Sequence, residues 1–238
     1  MFEQYPLHFE FRANQTFDDF FAGINQPIVD SLKQSILAQG EQQIFLWGKT
    51  GQGKTHLLQA CCHYAQLYEQ QSFYFDLSLY HKFPPEILTG LDNYDVVCID
   101  HIDSIAGNVE WEKELCRFMQ RHIQQKHCLI LSSTDLPDIL NLKTNELRMR
   151  LNWGAIVQLQ TMVDTESIDA LIFKAETMGF EITPQIGRFL ILDQKVKIDE
   201  LWELLKKLDH ASLAAKRKLT LPFLKELFRD QSLKTQHN

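Results

Sequence analysis

Gly48-Lys49-Thr50-Gly51-Gln52-Gly53-Lys54-Thr55 is the stretch on which the reading of this 238-residue chain turns. It satisfies G-x-x-x-x-G-K-[ST] at every fixed position, and its flanks are those the pattern requires. The apolar run Ile44-Phe45-Leu46-Trp47 precedes it and is short enough for a buried strand. A helical pattern follows from Lys54 to about Glu69, with Leu57, Leu58, Cys61, Cys62 and Ala65 along one side. Glycines let the backbone turn tightly between strand and helix, so that successive N–H groups point inward at an anion. The helix N-terminus adds its partial positive charge. On this reading Gly48, Lys49, Thr50, Gly51, Gln52 and Gly53 surround the phosphates of ADP or ATP. Lys54 reaches the β- and γ-phosphates, and the Thr55 hydroxyl binds Mg²⁺.

Upstream, the first twenty residues carry no helical pattern. From Gln26 the apolar positions Ile28, Val29, Leu32, Ile36 and Leu37 share one helix face. Downstream, Ser72-Phe73-Tyr74-Phe75 reads as a strand and Pro84-Pro85 opens a brief helix. Asp95-Val96-Val97-Cys98-Ile99-Asp100 is a strand that ends in a carboxylate. Trp111 to Gln125 is helical, and Cys128-Leu129-Ile130-Leu131 and Ile156-Val157-Gln158-Leu159 are further strands. Short apolar strands alternating with helices predict βαβ units and a parallel sheet.

After about Thr161 only helical patterns remain, over Ser167–Thr177, Thr183–Leu192, Ile198–Ala215 and Pro222–Asp230. Thr183-Pro184 and Thr220-Leu221-Pro222 put a cap and an early proline at two of these starts. The expected organisation is a tail (1–15), an α/β nucleotide-binding domain (16–161) and a small all-α domain (162–238).

A phosphate cradle of this type needs an Asp at the end of a buried strand to hold Mg²⁺ through its water shell. Asp100, after four apolar residues, fits that role.

Composition narrows the partners. The net charge is −7 and the sequence pI about 5.7. The one compact basic cluster, Lys216-Arg217-Lys218, reads as a helix end, where cations complement the macrodipole. Direct binding to duplex DNA is therefore not expected. No run of 18 apolar residues is present, so no membrane span is expected, and residues 1–6 lack the basic and apolar regions of a secretory signal. Five cysteines without a C-x-x-C pair, all within apolar periodic segments, suggest a reduced cytoplasmic protein.

With these residues in place the chain resembles the DnaA-related AAA+ family and, within it, the Hda group of regulators that inactivate DnaA. The resemblance rests on Thr16-Phe17-Asp18-Asp19-Phe20, on Phe45-Leu46-Trp47-Gly48 with Lys54-Thr55-His56-Leu57-Leu58, and on Val97-Cys98-Ile99-Asp100 with Ile105-Ala106-Gly107 and Trp111-Glu112. Arg150-Leu151-Asn152-Trp153-Gly154 and Arg217-Lys218-Leu219-Thr220-Leu221-Pro222-Phe223 extend it. It implies a P-loop AAA+ parallel-sheet domain followed by a small all-α lid. The sequence holds neither the initiator's long N-terminal assembly domain nor its helix-turn-helix DNA-binding domain, which is the architecture expected of the regulator.

The resemblance also implies partners and roles. Gln4-Tyr5-Pro6-Leu7-His8-Phe9 is similar to the peptide by which Hda enters the replicative sliding clamp, the DNA polymerase III β subunit. Gln4, Leu7 and Phe9 would make the contacts, and DNA would be reached only through the clamp. Arg150 matches the family's arginine finger, acting in trans on ATP held by the DnaA initiator to give inactive DnaA–ADP. Thr134, after Ser132-Ser133, matches the polar sensor at the end of the fourth strand, and the resemblance allows a homo-oligomer.

Two departures bear on hydrolysis. AAA+ ATPases usually follow the strand-end Asp with Glu or Asp, whereas this chain has His101; Asp103 would substitute only if the chain bends. The lid's sensor Arg is replaced around Val196 by Lys195 and Lys197, and a lysine cannot bind phosphate bidentately. Weak or absent intrinsic hydrolysis is expected. The rival reading is a stand-alone AAA+ ATPase such as a helicase loader or remodeller.

Overall fold

Five strands carry the fold: β1 (Gln43–Trp47), β2 (Ser72–Asp76), β3 (Val96–Asp100), β4 (Cys128–Ser133) and β5 (Ala155–Gln158). They form one parallel sheet in the order β2-β3-β4-β1-β5. The computed structural model describes residues 15–193 together with 204, 205, 207, 220–222, 224 and 225. Parallel strands need crossovers, and the helices that supply them cover both faces. This is why the strands read as continuous apolar runs, with β3 and β4 buried at every position.

Strand alternation sorts the core into two layers. Phe45, Phe75, Val97, Ile99, Leu129 and Leu131 face α3 (Val109–Gln124) and α4 (Asn145–Leu151). Ile44, Leu46, Tyr74, Cys98 and Ile130 face α1 (Gln26–Ile36) and α2 (Lys54–Leu67). All five cysteines are free and buried. Their uniform enclosure is why Cys62 and Cys98 have thiols pushed far up by burial and are inert packing groups.

Several element ends differ from the sequence reading, each for a local reason. Helix α3 starts at Val109 rather than Trp111, because the Asn108 side chain caps it by accepting from the Trp111 N–H at 3.4 Å. Strand β5 starts one residue early, at Ala155, because Gly154 lets the chain pass against the Gln43 carbonyl where any Cβ would collide. Leu77–Lys82 and Pro85–Leu91 are 3₁₀ turns, of which only the second had a signal, its proline pair.

The chain divides into two compact units, Met1–Gln160 and Thr161–Asn238. The second contains α5 (Asp164–Thr177) and α6 (Pro184–Arg188), the latter capped by Thr183, whose hydroxyl accepts from the Ile186 N–H at 3.4 Å. The helix read as continuous to Leu192 instead widens into a π turn over Phe189–Asp193. Ile168, Leu171, Ile186 and Leu190 build this unit's core with Leu205 and Leu224. Residues 204, 205, 207, 221, 222, 224 and 225 are helical, while most of the last two expected helices, Lys195–Lys197 and Lys216–Lys218 lie outside the described residues. Among the described residues no helix is long and apolar enough to cross a membrane.

Candidate nucleotide site and the Arg150 helix

Chain order in the sheet explains the site. Strand β4 lies between β1 and β3, so the ends of three strands converge: Gly48 after β1, Asp100 on β3, and Ser132-Ser133 on β4. The Gly48 N–H donates to the Ser133 carbonyl at 3.3 Å, and the chain then leaves the sheet. Lys49, Thr50 and Gly51 are exposed, and Gln52 is half-buried with its side chain against Gly48.

Gly53 closes the turn at φ 92°, and a Cβ there would stand 2.7 Å from Cε2 of Phe20. Its carbonyl accepts from Leu57 at 2.9 Å, which starts α2. Lys54 is 6% exposed, and its ammonium is held by the carbonyls of Gly48 at 2.6 Å and Lys49 at 3.0 Å. Burial holds its pKa below the usual lysine value, opposed by the charges of Asp100, Asp103 and Asp135. The ammonium therefore lies inside the turn, in a field of three carboxylates.

Asp100 is fully buried at the end of β3. It accepts from the Thr55 hydroxyl at 2.6 Å, from the Tyr74 hydroxyl at 2.9 Å, from its neighbour's His101 N–H at 3.1 Å and from the Ser132 hydroxyl. A carboxylate and a hydroxyl brought together from separate elements are hard oxygen donors of the kind Mg²⁺ takes, so the donor set fits that ion. Burial, with the charge of Asp100 next, pushes the Tyr74 phenol far up, and Tyr74 stays a neutral donor.

His101 adopts the left-handed conformation at φ 57°. Its Nδ1 lies 3.0 Å from Asp76 Oδ1 and 3.6 Å from Asp100 Oδ2. The Asp76 hydrogen bond raises the imidazole pKa against the opposing effect of burial. Burial pushes the Asp76 carboxyl up, but hydrogen bonds from His101 and Ser78 outweigh it and the pKa falls. The position after the strand-end Asp thus carries an imidazole tied to a carboxylate of the neighbouring strand.

Asp103 accepts from the Ser133 hydroxyl and the Thr134 N–H, both at 3.2 Å. Thr134 itself stands beyond the strand, half-exposed, with its hydroxyl 3.3 Å from Asp135. On β4 it is Ser132 that meets Asp100. Tyr74, Asp76 and Ser132 escaped the sequence reading because their roles depend on which strands are neighbours. Cross-strand register pairs Asp76 with Asp100, and no local pattern in β2 announces that.

Arg150 lies elsewhere. Its carbonyl accepts from the Gln43 side chain at 2.8 Å, at the start of β1. The cradle begins at the other end of that strand, five residues on, about 16 Å away at strand spacing. Arg150 is 8% exposed. Its guanidinium pairs with Glu146 at 2.7 Å, touches Gln120 Oε1 at 3.4 Å and stacks 4.9 Å from the Trp153 ring centre. Met149 and Trp153 beside it are about 60% exposed (61% and 60%). Gln4, Leu7 and Phe9 lie outside the described residues.

Comparison with known proteins agrees with this architecture. Residues 11–158 match the family model of the bacterial DnaA ATPase domain, and residues 164–228 match that of the Hda lid domain. Domain III of the Thermotoga maritima replication initiation protein DnaA superposes with a TM-score of 0.79 at 19% identity, covering 92% of this chain and 97% of that one. AMPPCP-bound DnaA from Aquifex aeolicus gives a TM-score of 0.72 at 20% identity, over 83% of this chain and 65% of that one; the chain spans just under two thirds of that DnaA. The Thermotoga maritima RuvB Holliday junction branch migration motor gives 0.66 at 15% identity, over 91% of this chain and 72% of that one. At such identities the structural likeness bears on the fold alone, and that fold is a P-loop AAA+ sheet domain with a helical lid. The DnaA model spans more than half of the sequence, and the chain belongs to the DnaA-related AAA+ family, with an α/β portion of the DnaA ATPase type and a lid of the Hda type.

Proposed function

We propose that this chain is a negative regulator of chromosomal replication initiation that binds ADP or ATP with Mg²⁺, docks on the sliding clamp, and stimulates hydrolysis of DnaA-bound ATP. Gln4, Leu7 and Phe9, in a tail of residues 1–15, make the clamp contact. Residues 16–161 hold the nucleotide and 162–238 form the lid. The protein acts in the cytoplasm and reaches DNA only through the clamp, and self-assembly through the same faces is compatible with this role.

Within the chain's own site, the backbone from Gly48 to Gly53 and the Lys54 ammonium bind phosphate oxygens. Thr55 and Asp100 hold Mg²⁺, and Ser132 or Thr134 faces the γ-phosphate end. The metal supplies charge neutralisation between phosphates when bound. His101, tied to Asp76, lacks the fixed negative charge of the usual Glu, which favours a nucleotide that is retained rather than rapidly hydrolysed.

The observation that carries the reading is the separation of Arg150 from its own cradle. An arginine at the opposite end of β1 cannot reach a phosphate in the same chain, and a guanidinium there suits a neighbour's γ-phosphate, whose developing charge it would stabilise. The Hda-type lid match supports DnaA as that neighbour.

The test is nucleotide hydrolysis by the chain alone, with ATP-loaded DnaA, and with clamp on DNA added. Hydrolysis confined to the full mixture is the expected result. It should be lost when Gln4, Leu7 and Phe9 are replaced by Ala together. Rapid turnover by the isolated chain would replace this reading with a stand-alone ATPase.

A further inference from the structure

Glu112 is a fully buried carboxylate in the first turn of α3. Burial pushes its pKa up, yet backbone N–H groups more than reverse this and hold it low. Oε1 accepts from Gly107 at 2.8 Å and from Lys143 at 3.1 Å, while Oε2 accepts from Lys143 at 2.9 Å and Thr144 at 2.7 Å. One charge thereby satisfies three amides from two loops more than thirty residues apart in sequence.

Those loops are the two that matter. Gly107 ends the segment that runs from Asp100 through the turn Ile102–Ile105, in which Asp103 is bonded to Ser133 and Thr134. Thr144 is the residue from which α4 starts, and Arg150 lies in the last turn of that seven-residue helix. Helix α3 also supplies Gln120, two turns beyond Glu112, which meets the Arg150 guanidinium. Both the start of α4 and the head of its arginine are thus referenced to α3. Thr144 makes no side-chain cap of its own, so Glu112 is what takes up the amides entering the helix.

We infer that Glu112 is the positioning residue for Arg150, fixing the axial placement of α4 so that its guanidinium can meet a partner's phosphate. This rests on the trans-acting role proposed above. A charge-assisted bond to each amide resists displacement far better than water would. A shift of about 1 Å in a phosphate-stabilising group costs up to about 100-fold in rate.

Glu112→Gln keeps the size but puts an NH₂ where an acceptor is needed. Thr144→Pro leaves Glu112 in place and removes the donors that Thr144 offers it, and it carries the test should the first variant fail to fold. For either variant, amide exchange across residues 143–151 should quicken while β1, β3 and β4 stay protected. The maximal stimulation of hydrolysis by ATP-loaded DnaA on clamp-bearing DNA should fall about 10- to 100-fold. The concentration giving half of that maximum should stay within about twofold of wild type, since the docking surface remains. A raised half-saturating concentration with an undiminished maximum would overturn the inference, as would unchanged exchange at 143–151. If the unmodified protein stimulates nothing, the regulatory reading fails; the exchange measurement still decides whether Glu112 holds α4.

Discussion

The Thr55 hydroxyl donates to the Asp100 carboxylate at 2.6 Å, joining the first turn of α2 to the end of β3. Three further groups, the hydroxyls of Tyr74 and Ser132 and the His101 N–H, also donate to this one carboxylate. Thr55 and Tyr74 share one of its oxygens, and His101 and Ser132 share the other. Asp100→Asn would remove that charge and set an NH₂ group against hydroxyl donors. Nucleotide affinity in the presence of Mg²⁺ should drop about 10-fold or more, toward the value measured in EDTA. Titration calorimetry with and without the ion reads this; an unchanged Mg²⁺ increment would remove Asp100 from the metal site.

Gly53 supplies a second test, because two penalties coincide there. Its φ of 92° disfavours any side chain, and a Cβ would press on the Phe20 ring at 2.7 Å. Gly53→Ala should lose about 1–3 kcal/mol of stability, the usual cost of a strained backbone position. Phosphate affinity should fall with it, because relief requires the turn around Lys54 to open. Denaturant titration beside nucleotide binding measures both, and a variant with wild-type midpoint and affinity would show that the turn relaxes freely.

The parts that were legible in sequence were those encoded within one segment. Gly48–Thr55 carries its chemistry in contiguous residues, and the apolar runs of β1, β3 and β4 are continuous because both sheet faces are covered. What escaped depends on strand order. Tyr74 and Asp76 reach Asp100 and His101 only because β2 pairs with β3. The Ser132 hydroxyl, within β4, donates to Asp100, and Thr134 stands one residue past the end of that strand. Arg150 was legible as an arginine on a short helix. Its 8% exposure was not, since it depends on contacts with Glu146, Gln120 and Trp153, the second of them from another helix.

That enclosure has a consequence for the finger. Glu146 is 62% exposed at its side chain, and its ion pair with Arg150 is of the i,i+4 type. With the carboxylate in solvent, the attraction it adds is modest. If Arg150 must leave Glu146 to meet a phosphate, Glu146→Ala should raise stimulated hydrolysis about severalfold. Arg150→Ala should abolish stimulation while preserving clamp retention in a pull-down. Full stimulation by Arg150→Ala would exclude the finger, and a loss with Glu146→Ala would mean that the pair is needed in the working state.

Stability below neutral pH should be governed in part by His122, remote from the site. It is fully buried, and its Nε2 lies 3.1 Å from the Cys128 carbonyl, which fixes the proton on that nitrogen. Burial, with neighbouring His127 adding to it, lowers its pKa from the ordinary 6.5 to about 4, despite that hydrogen bond. The fold therefore prefers neutral His122, whereas the unfolded chain binds a proton below about pH 6.5. Between these values the unfolded state holds more protons, so stability falls as pH drops from 6.5 toward 4. The shift corresponds to about 3 kcal/mol at the acid end. His122→Gln retains a donor for the Cys128 carbonyl and cannot titrate. It should flatten the pH dependence of the urea midpoint across that window by a comparable amount, and a slope identical to wild type would assign the acid sensitivity to other groups.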